Sequence, residues 1–442
     1  VGMLVVNELT DKWSDNDYWG GRQPFTHLWH KLITEWIKRD RNRPSIILWS
    51  LGNELQIREG WAGFEGTNDW GITTYNIFNQ LVKRWDHTRL TTVAMFPARA
   101  GAITRHDKEF NDYLVPPELA CATEVASFNY QSDKYDAYLK YQPDLILFQS
   151  EAETSKLLQP YYNMDRKRTV GMAYWGSAEY WGESNKWPKK GWNYSFFDHT
   201  MRPYPQAYLI KSAFMPEIPE VHIGVVDAAG AESVSWNDVT VGRMALNECW
   251  NHIPGSRQSL FTYTNAHSVE LLVNGQSMGV QQNDTTQANL RNMIYWKDVP
   301  YGNGGSVVAI ARDKSGKEVA RHRIETAGKA VALQIETETP ADWKADGMDL
   351  QYINVTAIDK KGRPVWDYNE PLTLQMEGAA RLVALDNGDH YTDELFQGIT
   401  SKRMYQGRMQ IILRSTKTPS NVKLKISSAD LKEKLSLKTF LK

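Results

Sequence analysis

Cysteine is nearly absent from this 442-residue chain: only Cys121 and Cys249 occur, in stretches that read as different domains. That excludes a disulfide framework and a thiolate metal site. An excess of charge of either sign is missing too. Lys plus Arg number 51 against 52 Asp plus Glu, a formal net charge of -1, which leaves no electrostatic footprint for nucleic acid or an anionic membrane surface. No apolar run approaches the ~20 residues that cross a bilayer. The opening Val1-Gly2-Met3-Leu4-Val5-Val6 reads as a strand rather than as a basic, apolar and small-residue signal. Low-complexity stretches are lacking. The ten histidines show no His-x-x-x-His or paired-carboxylate spacing, so no catalytic metal is expected.

What is abundant is tryptophan, and its placement is uneven. Twelve of the 17 fall between Trp13 and Trp192, and five between Trp236 and Trp366. Indole faces stack on the C–H faces of sugars as they do on other apolar surfaces, although any single Trp also serves as core.

The length exceeds what one hydrophobic core holds, so two to four domains are expected. Up to about residue 215, short apolar strands alternate with helical periodicity. Leu4 to Asn7, Ile46 to Trp49, Leu90 to Met95, Val125 to Asn129, Asp144 to Gln149 and Thr169 to Trp175 read as strands. Helices fall near His27 to Arg39, with Leu28, Leu32, Ile33, Trp36 and Ile37 on one face, and at Ile72 to Trp85. Strand, helix, strand in succession implies about six parallel β/α units. After Pro216-Glu217-Ile218-Pro219 the pattern becomes short alternating strands punctuated by turns such as Asn274-Gly275 and Lys360 to Gly362, which reads as two immunoglobulin-like β-sandwiches. The expected domains are 1–216, 217–328 and 329–442.

Two glutamates stand out. Ser45-Ile46-Ile47-Leu48-Trp49-Ser50 opens into Leu51-Gly52-Asn53-Glu54, and Asp144-Leu145-Ile146-Leu147-Phe148-Gln149-Ser150 delivers Glu151. Carboxylates that follow buried parallel strands sit on the C-terminal rim of the sheet, where such folds place their chemistry. Two of them suit acid/base and nucleophile work on a glycosidic bond. Glu8 also ends a strand, with a hydrogen-bonded structural carboxylate as the favoured reading. Glu153 is the neighbouring alternative to Glu151.

The segment Arg39-Asp40-Arg41-Asn42-Arg43-Pro44-Ser45-Ile46-Ile47-Leu48-Trp49-Ser50-Leu51-Gly52-Asn53-Glu54 resembles the general-acid signature of glycoside hydrolase family 2, which holds β-galactosidases, β-glucuronidases and β-mannosidases. In the same order, Gly2 to Glu8 with Trp13 resembles the third strand of that family's (β/α)₈ barrel. Ser127-Phe128-Asn129-Tyr130 resembles the sixth, Gln149-Ser150-Glu151 the seventh, and Tyr174-Trp175 with Glu179-Tyr180-Trp181-Gly182-Glu183 the eighth and its loop. Leu271 to Gly275 and Leu385 to Asp389 resemble its accessory domains. The likeness covers nearly the whole chain.

It implies a partial TIM barrel, strands three to eight, followed by the two sandwiches, and retaining hydrolysis of terminal β-linked sugars. Glu54 would be acid/base and Glu151 nucleophile. Asn53 would hold the sugar 2-hydroxyl, Tyr130 would hydrogen-bond the nucleophile and help keep it ionised, and Trp175 would floor the subsite, with Asn129 and Glu8 completing the substrate-binding set. No cofactor is implied. Tyr194 stands where an acidic-sugar site would want lysine, so a β-galactoside is the favoured oligo- or polysaccharide substrate, with β-glucuronide or β-mannoside as alternatives. Asn185-Lys186 is a weaker acid-gripping candidate. An open six-stranded sheet exposes two edges, so a missing N-terminal segment or a partner chain is expected to complete the barrel, and the chain alone is expected to be weak or inactive. The rival outside enzymology is a carbohydrate-binding fragment without catalysis. The family's export to the periplasm in many polysaccharide degraders is the sole indication of location.

Overall fold

A computed structural model of the chain describes residues 2–13, 25–57, 60–61, 71–96, 116–184, 186–227, 232–236, 239–338 and 342–440. They gather into two units, residues 1–175 with 233–241, and residues 176–232 with 242–442.

The first unit is built on six parallel strands in chain order: β1 (Val5–Glu8), β2 (Ile46–Asn53), β3 (Leu90–Met95), β4 (Val125–Asn129), β5 (Leu147–Ala152) and β6 (Thr169–Tyr174). Helices α1 (Phe25–Asp40) and α2 (Ile72–Trp85) pack on each other. In-order parallel strands with helical crossovers are the build of a (β/α)₈ barrel, here six strands of it. The inner strands are apolar and nearly sealed, as β4 shows with all five residues buried. The outer strands are less so: Val170 on β6 is 67% exposed, and Met3 and Leu4 just before β1 are 72% and 68% exposed. Helix α1 buries Ile33, Trp36 and Ile37. Leu32, expected on that face, lies exposed.

The lower ends of the strands are tied by charge. Asp86 Oδ2 accepts from Trp49 Nε1 at 2.9 Å and from Arg89 at 2.7 Å, and the Arg89 guanidinium reaches the carbonyl oxygens of Ile46, Arg41 and Arg43. With two Thr88 donors added, these bonds hold the Asp86 carboxyl well below the usual carboxylate range, against the cost of its burial.

The second unit contains two β-sandwiches, each of two four-stranded sheets. In the first, Val221–Val226, Leu246–Asn247, Arg257–Thr264 and Met293–Pro300 face Ser268–Val273, Gln276–Gln282, Ser306–Arg312 and Glu318–Glu325. The Asn274-Gly275 turn has φ of 50° and 83°, the left-handed pair that a two-residue hairpin needs. In the second, Leu350–Ile358 alternates half-buried and buried residues along its length, so Ile353, Val355 and Ala357 enter a core shared with Leu372, Leu385, Ile411 and Ile426. Both cysteines are free. Among the described residues no helix is long and apolar enough to cross a membrane.

Candidate active site

The strand register lines the expected residues up on one rim. Glu8 pairs with Ser50, Asn53 with Ala94, Asn129 with Glu151, and Ala152 with Tyr174. Each interior ladder that carries a site residue breaks register there: between Ser50 and Asn53, between Phe128 and Asn129, and between Gln149 and Ala152. Such irregularities re-aim side chains at barrel rims. Glu54 (φ 43°) and Tyr130 (φ 58°) follow their strands in left-handed backbone, a conformation costly for non-glycine residues that concentrates at functional sites. The sequence reading ended the fifth strand at Gln149. The structure carries it on to Ala152, so Glu151 sits within the last rungs rather than beyond them.

Glu54 is buried, and its backbone N–H donates to Ala94 O at 2.7 Å. Its Oε1 accepts from Asn129 Nδ2 at 3.2 Å. The same amide nitrogen donates to Asn53 Oδ1 at 2.9 Å, while Asn129 Oδ1 accepts from Ser150 Oγ at 2.7 Å. This network orients the Asn129 amide unambiguously. Asn129 is 0% exposed with both ends of its amide engaged. It braces Asn53 and Glu54. Asn53 is half-buried and is held also by Asp11, through its own N–H to Asp11 O at 2.7 Å and through Nδ2 to Oδ1 at 3.1 Å.

Glu151 is half-buried and accepts a short hydrogen bond on Oε2 from the Tyr130 hydroxyl. Removal of water around its carboxylate is the largest influence on it. That burial, with like charge from Glu54 and Glu8, pushes its pKa up to about 8, against the opposing pull of the Tyr130 hydroxyl and of Lys12. The Tyr130 hydrogen bond favours the ionised form, and burial outweighs it. Tyr130 meets Trp175 edge to face at 6.3 Å between ring centroids and Phe96 at 6.0 Å. Glu8 accepts from Ser50 Oγ at 2.6 Å, the hydrogen-bonded role favoured for it. Glu153 is buried and ion-paired to Lys156 at 3.2 Å, which occupies it structurally. Asn185 lies outside the described residues, and the Lys186 ammonium stands 5.9 Å from the Tyr391 ring.

Sequence reasoning missed several contributors. Ser150 and Ser50 carry no signature of their own, and their pairing depends on register. Asp11 and Lys12 lie in the loop after β1, where Lys12 Nζ bonds Asn53 O at 2.9 Å. Gly52 could have been found from the motif: a Cβ there would meet Trp13 Nε1 at 2.8 Å, and that indole donates to Leu51 O at 2.7 Å.

A parallel barrel sheet whose rim sets Glu54 against an amide held by the Ser150 hydroxyl, with Glu151 next in the chain and edge-to-face aromatics beside it, has the build of a glycosidase rim. The family models agree. Residues 7–175 match the TIM barrel domain of glycosyl hydrolases family 2 and residues 333–435 the C-terminal domain 5 of the same family, while 255–320 match a domain of unknown function. The chain belongs to glycoside hydrolase family 2. It is similar to the β-galactosidase BoGH2A of Bacteroides ovatus, at 24% identity over 98% of this chain and 54% of that protein. Over 38% of this chain and 14% of the relative, it is 27% identical to a β-glucuronidase of Formosa agariphila. The crystal structure of a family 2 member from Bacteroides cellulosilyticus superposes with a TM-score of 0.79 at 25% identity, over 98% of this chain and 53% of that one. The chain thus spans about half the length of the relatives that it matches along its whole extent.

Proposed function

We infer that this chain carries the catalytic residues of a retaining β-glycosidase acting on a neutral terminal sugar, with β-galactosides as the favoured class. Glu54 protonates the departing glycosidic oxygen while Glu151 attacks the anomeric carbon. Water then opens the glycosyl ester with Glu54 as base, returning both groups to their starting protonation. Asn53 holds the 2-hydroxyl, where a hydrogen bond strengthens as oxocarbenium character develops. Trp175 forms an apolar floor, and Glu8 lies at the margin of the site. Residues 1–216, 217–328 and 329–442 are the domains of this reading.

The observation that supports it most is electrostatic proximity. Asn129 touches Glu54 and is held by the residue preceding Glu151, and the charge of Glu54 is felt at Glu151. Retaining enzymes need their carboxyl groups only about 5 to 5.5 Å apart, so that both reach one anomeric centre. The test is trapping with 2-deoxy-2-fluoro-β-galactosyl fluoride followed by peptide mass spectrometry. A fluoroglycosyl adduct on the peptide containing Glu151 is expected. An adduct on Glu153, or on any residue other than Glu151, overturns the assignment. Rates on nitrophenyl β-galactoside and β-glucuronide, compared side by side, decide the sugar.

A further inference from the structure

Three residues that the glycosidase reading does not use converge in the second unit. Glu179 follows Trp175 by four positions in the chain, His199 precedes helix α3 (Pro205–Phe214), and His390 lies in the last sandwich. Their side chains are 1%, 4% and 4% exposed. Glu179 Oε2 lies 3.6 Å from His199 Nδ1 and 3.0 Å from His390 Nε2, and one ligand atom from each residue lies within 4.8 Å of the others. Neither nitrogen of His390 has a hydrogen-bond partner, nor has His199 Nδ1, so the short separations are not bonds lined up along N–H vectors. Unspent lone pairs crowded in a dry place are costly unless something positive sits among them.

The surroundings complete a metal-site pattern. His199 Nε2 stands 2.9 Å from Asp386 Oδ1, and an N–H donated there fixes the tautomer that leaves Nδ1 free to ligate, the carboxylate–histidine arrangement found behind metal-bound imidazoles. Tyr204 donates to the other oxygen of Glu179 at 2.8 Å. The two imidazoles are perpendicular, at 4.7 Å between centroids, and Trp181 and Phe396 wall His199 with their edges. Backbone bonds from Glu179 N to Phe197 O and from Lys190 N to His390 O, at 2.9 and 3.0 Å, hold the segments in place. Ligands 2.0 to 2.1 Å from a tetrahedral Zn²⁺ are about 3.3 Å from one another, and the separations of 3.0 and 3.6 Å fall on either side of that value.

A second cluster, His222, Glu248 and His322, has the same residue types but one imidazole whose ring is already committed. There His322 Nδ1 accepts from Ile223 N at 3.1 Å, so its proton is on Nε2, facing Glu248 at 4.0 Å. Its lone pair is spent, and it works as a donor.

We propose that Glu179, His199 and His390 form a structural site for a divalent transition metal, Zn²⁺ foremost, with Asp386 orienting His199. The ion fastens the loop that begins after Trp175 to the segment around His390. Water fills the fourth position, and Glu179 contributes one oxygen while Tyr204 retains the other.

The test uses the protein stripped with EDTA and dialysed, then titrated with Co²⁺ and with Zn²⁺ in competition. One equivalent is expected to bind with the visible bands of tetrahedral Co²⁺, Zn²⁺ is expected to displace it, and X-ray absorption of the zinc form is expected to report two imidazoles and an oxygen donor. His390→Gln is expected to weaken binding at least about 100-fold, and Asp386→Asn about 10- to 100-fold. His322→Gln is expected to leave it unchanged. Wild-type protein that takes up less than a tenth of an equivalent overturns the proposal, as do sulfur ligands in the absorption spectrum. Loss of binding in His322→Gln with retention in His390→Gln also overturns it. Should His390→Gln fail to fold, the wild-type stoichiometry, its absorption spectrum and Asp386→Asn still decide.

Discussion

At Glu54, Glu151 and Glu8 acids face acids. The groups that meet them are an amide, hydroxyls and one lysine, and the charges of Glu54 and Glu8 are felt as repulsion at Glu151. At Glu179 and Asp386 the acids face imidazoles, and the two carboxylates share His199 between them. Both groups are shielded from water, so each must shed the cost of buried negative charge. In the first, Glu151 and Glu8 bind protons more tightly, chiefly because burial disfavours their charged forms. The second does so with cationic or cation-binding partners, which is what a fastening requires.

The contrast is broken or sharpened by substitution. Glu151→Gln has the largest expected effect, a loss of turnover on the order of 10⁴-fold or more, read by kcat on an aryl β-galactoside. A residual rate above a tenth of wild type would place the nucleophile elsewhere. Glu179→Gln is expected to leave a buried partner uncompensated and to cost about 3–5 kcal/mol of stability, measured by denaturant unfolding.

Glu151→Gln should move stability the other way. Wild-type Glu151, raised from 4.5 to about 8, keeps a proton in the folded state that the unfolded chain releases. Its contribution is therefore full below pH 4.5 and is lost as pH rises through 8. Glutamine has no such proton to lose, so the variant should gain about 4 to 5 kcal/mol over wild type by pH 9. Parallel thermal melts at pH 5 and 9 check this, and equal shifts at both would refute it. The smallest effect is on the acid limb of kcat/KM, expected near pH 8. Glu8→Gln removes a like charge and should lower that limb by about half a unit, whereas Tyr130→Phe removes a stabilising donor and should raise it. Limbs that do not move would break the electrostatic account.

Much of this was legible in the chain. Helix Ile72–Trp85 and strands Leu90–Met95 and Val125–Asn129 follow from periodicity alone, because their apolar faces have one place to go. The rim positions of Glu54 and Glu151 follow from strand ends. What could not be read is whatever depends on register and on contacts made far along the sequence. Ser150 reaches Asn129 only because the ladder shifts between Phe128 and Asn129. His199 and His390 lie so far apart that no spacing rule links them, and they meet because two loops are pinned by backbone bonds. The Asn274-Gly275 turn was legible because its chemistry is local.

The slips in the ladder near Ser50, Phe128 and Gln149 have a bearing on how this scaffold changes over time. Below them the rungs between β2, β3, β4 and β5 are regular, and they are fastened from beneath by Asp86 and Arg89. A residue swapped above the slip turns toward the mouth without dragging the lower sheet with it. The platform can stay constant while its upper face is rewritten, so new sugar preferences are open to a lineage without refolding its foundation.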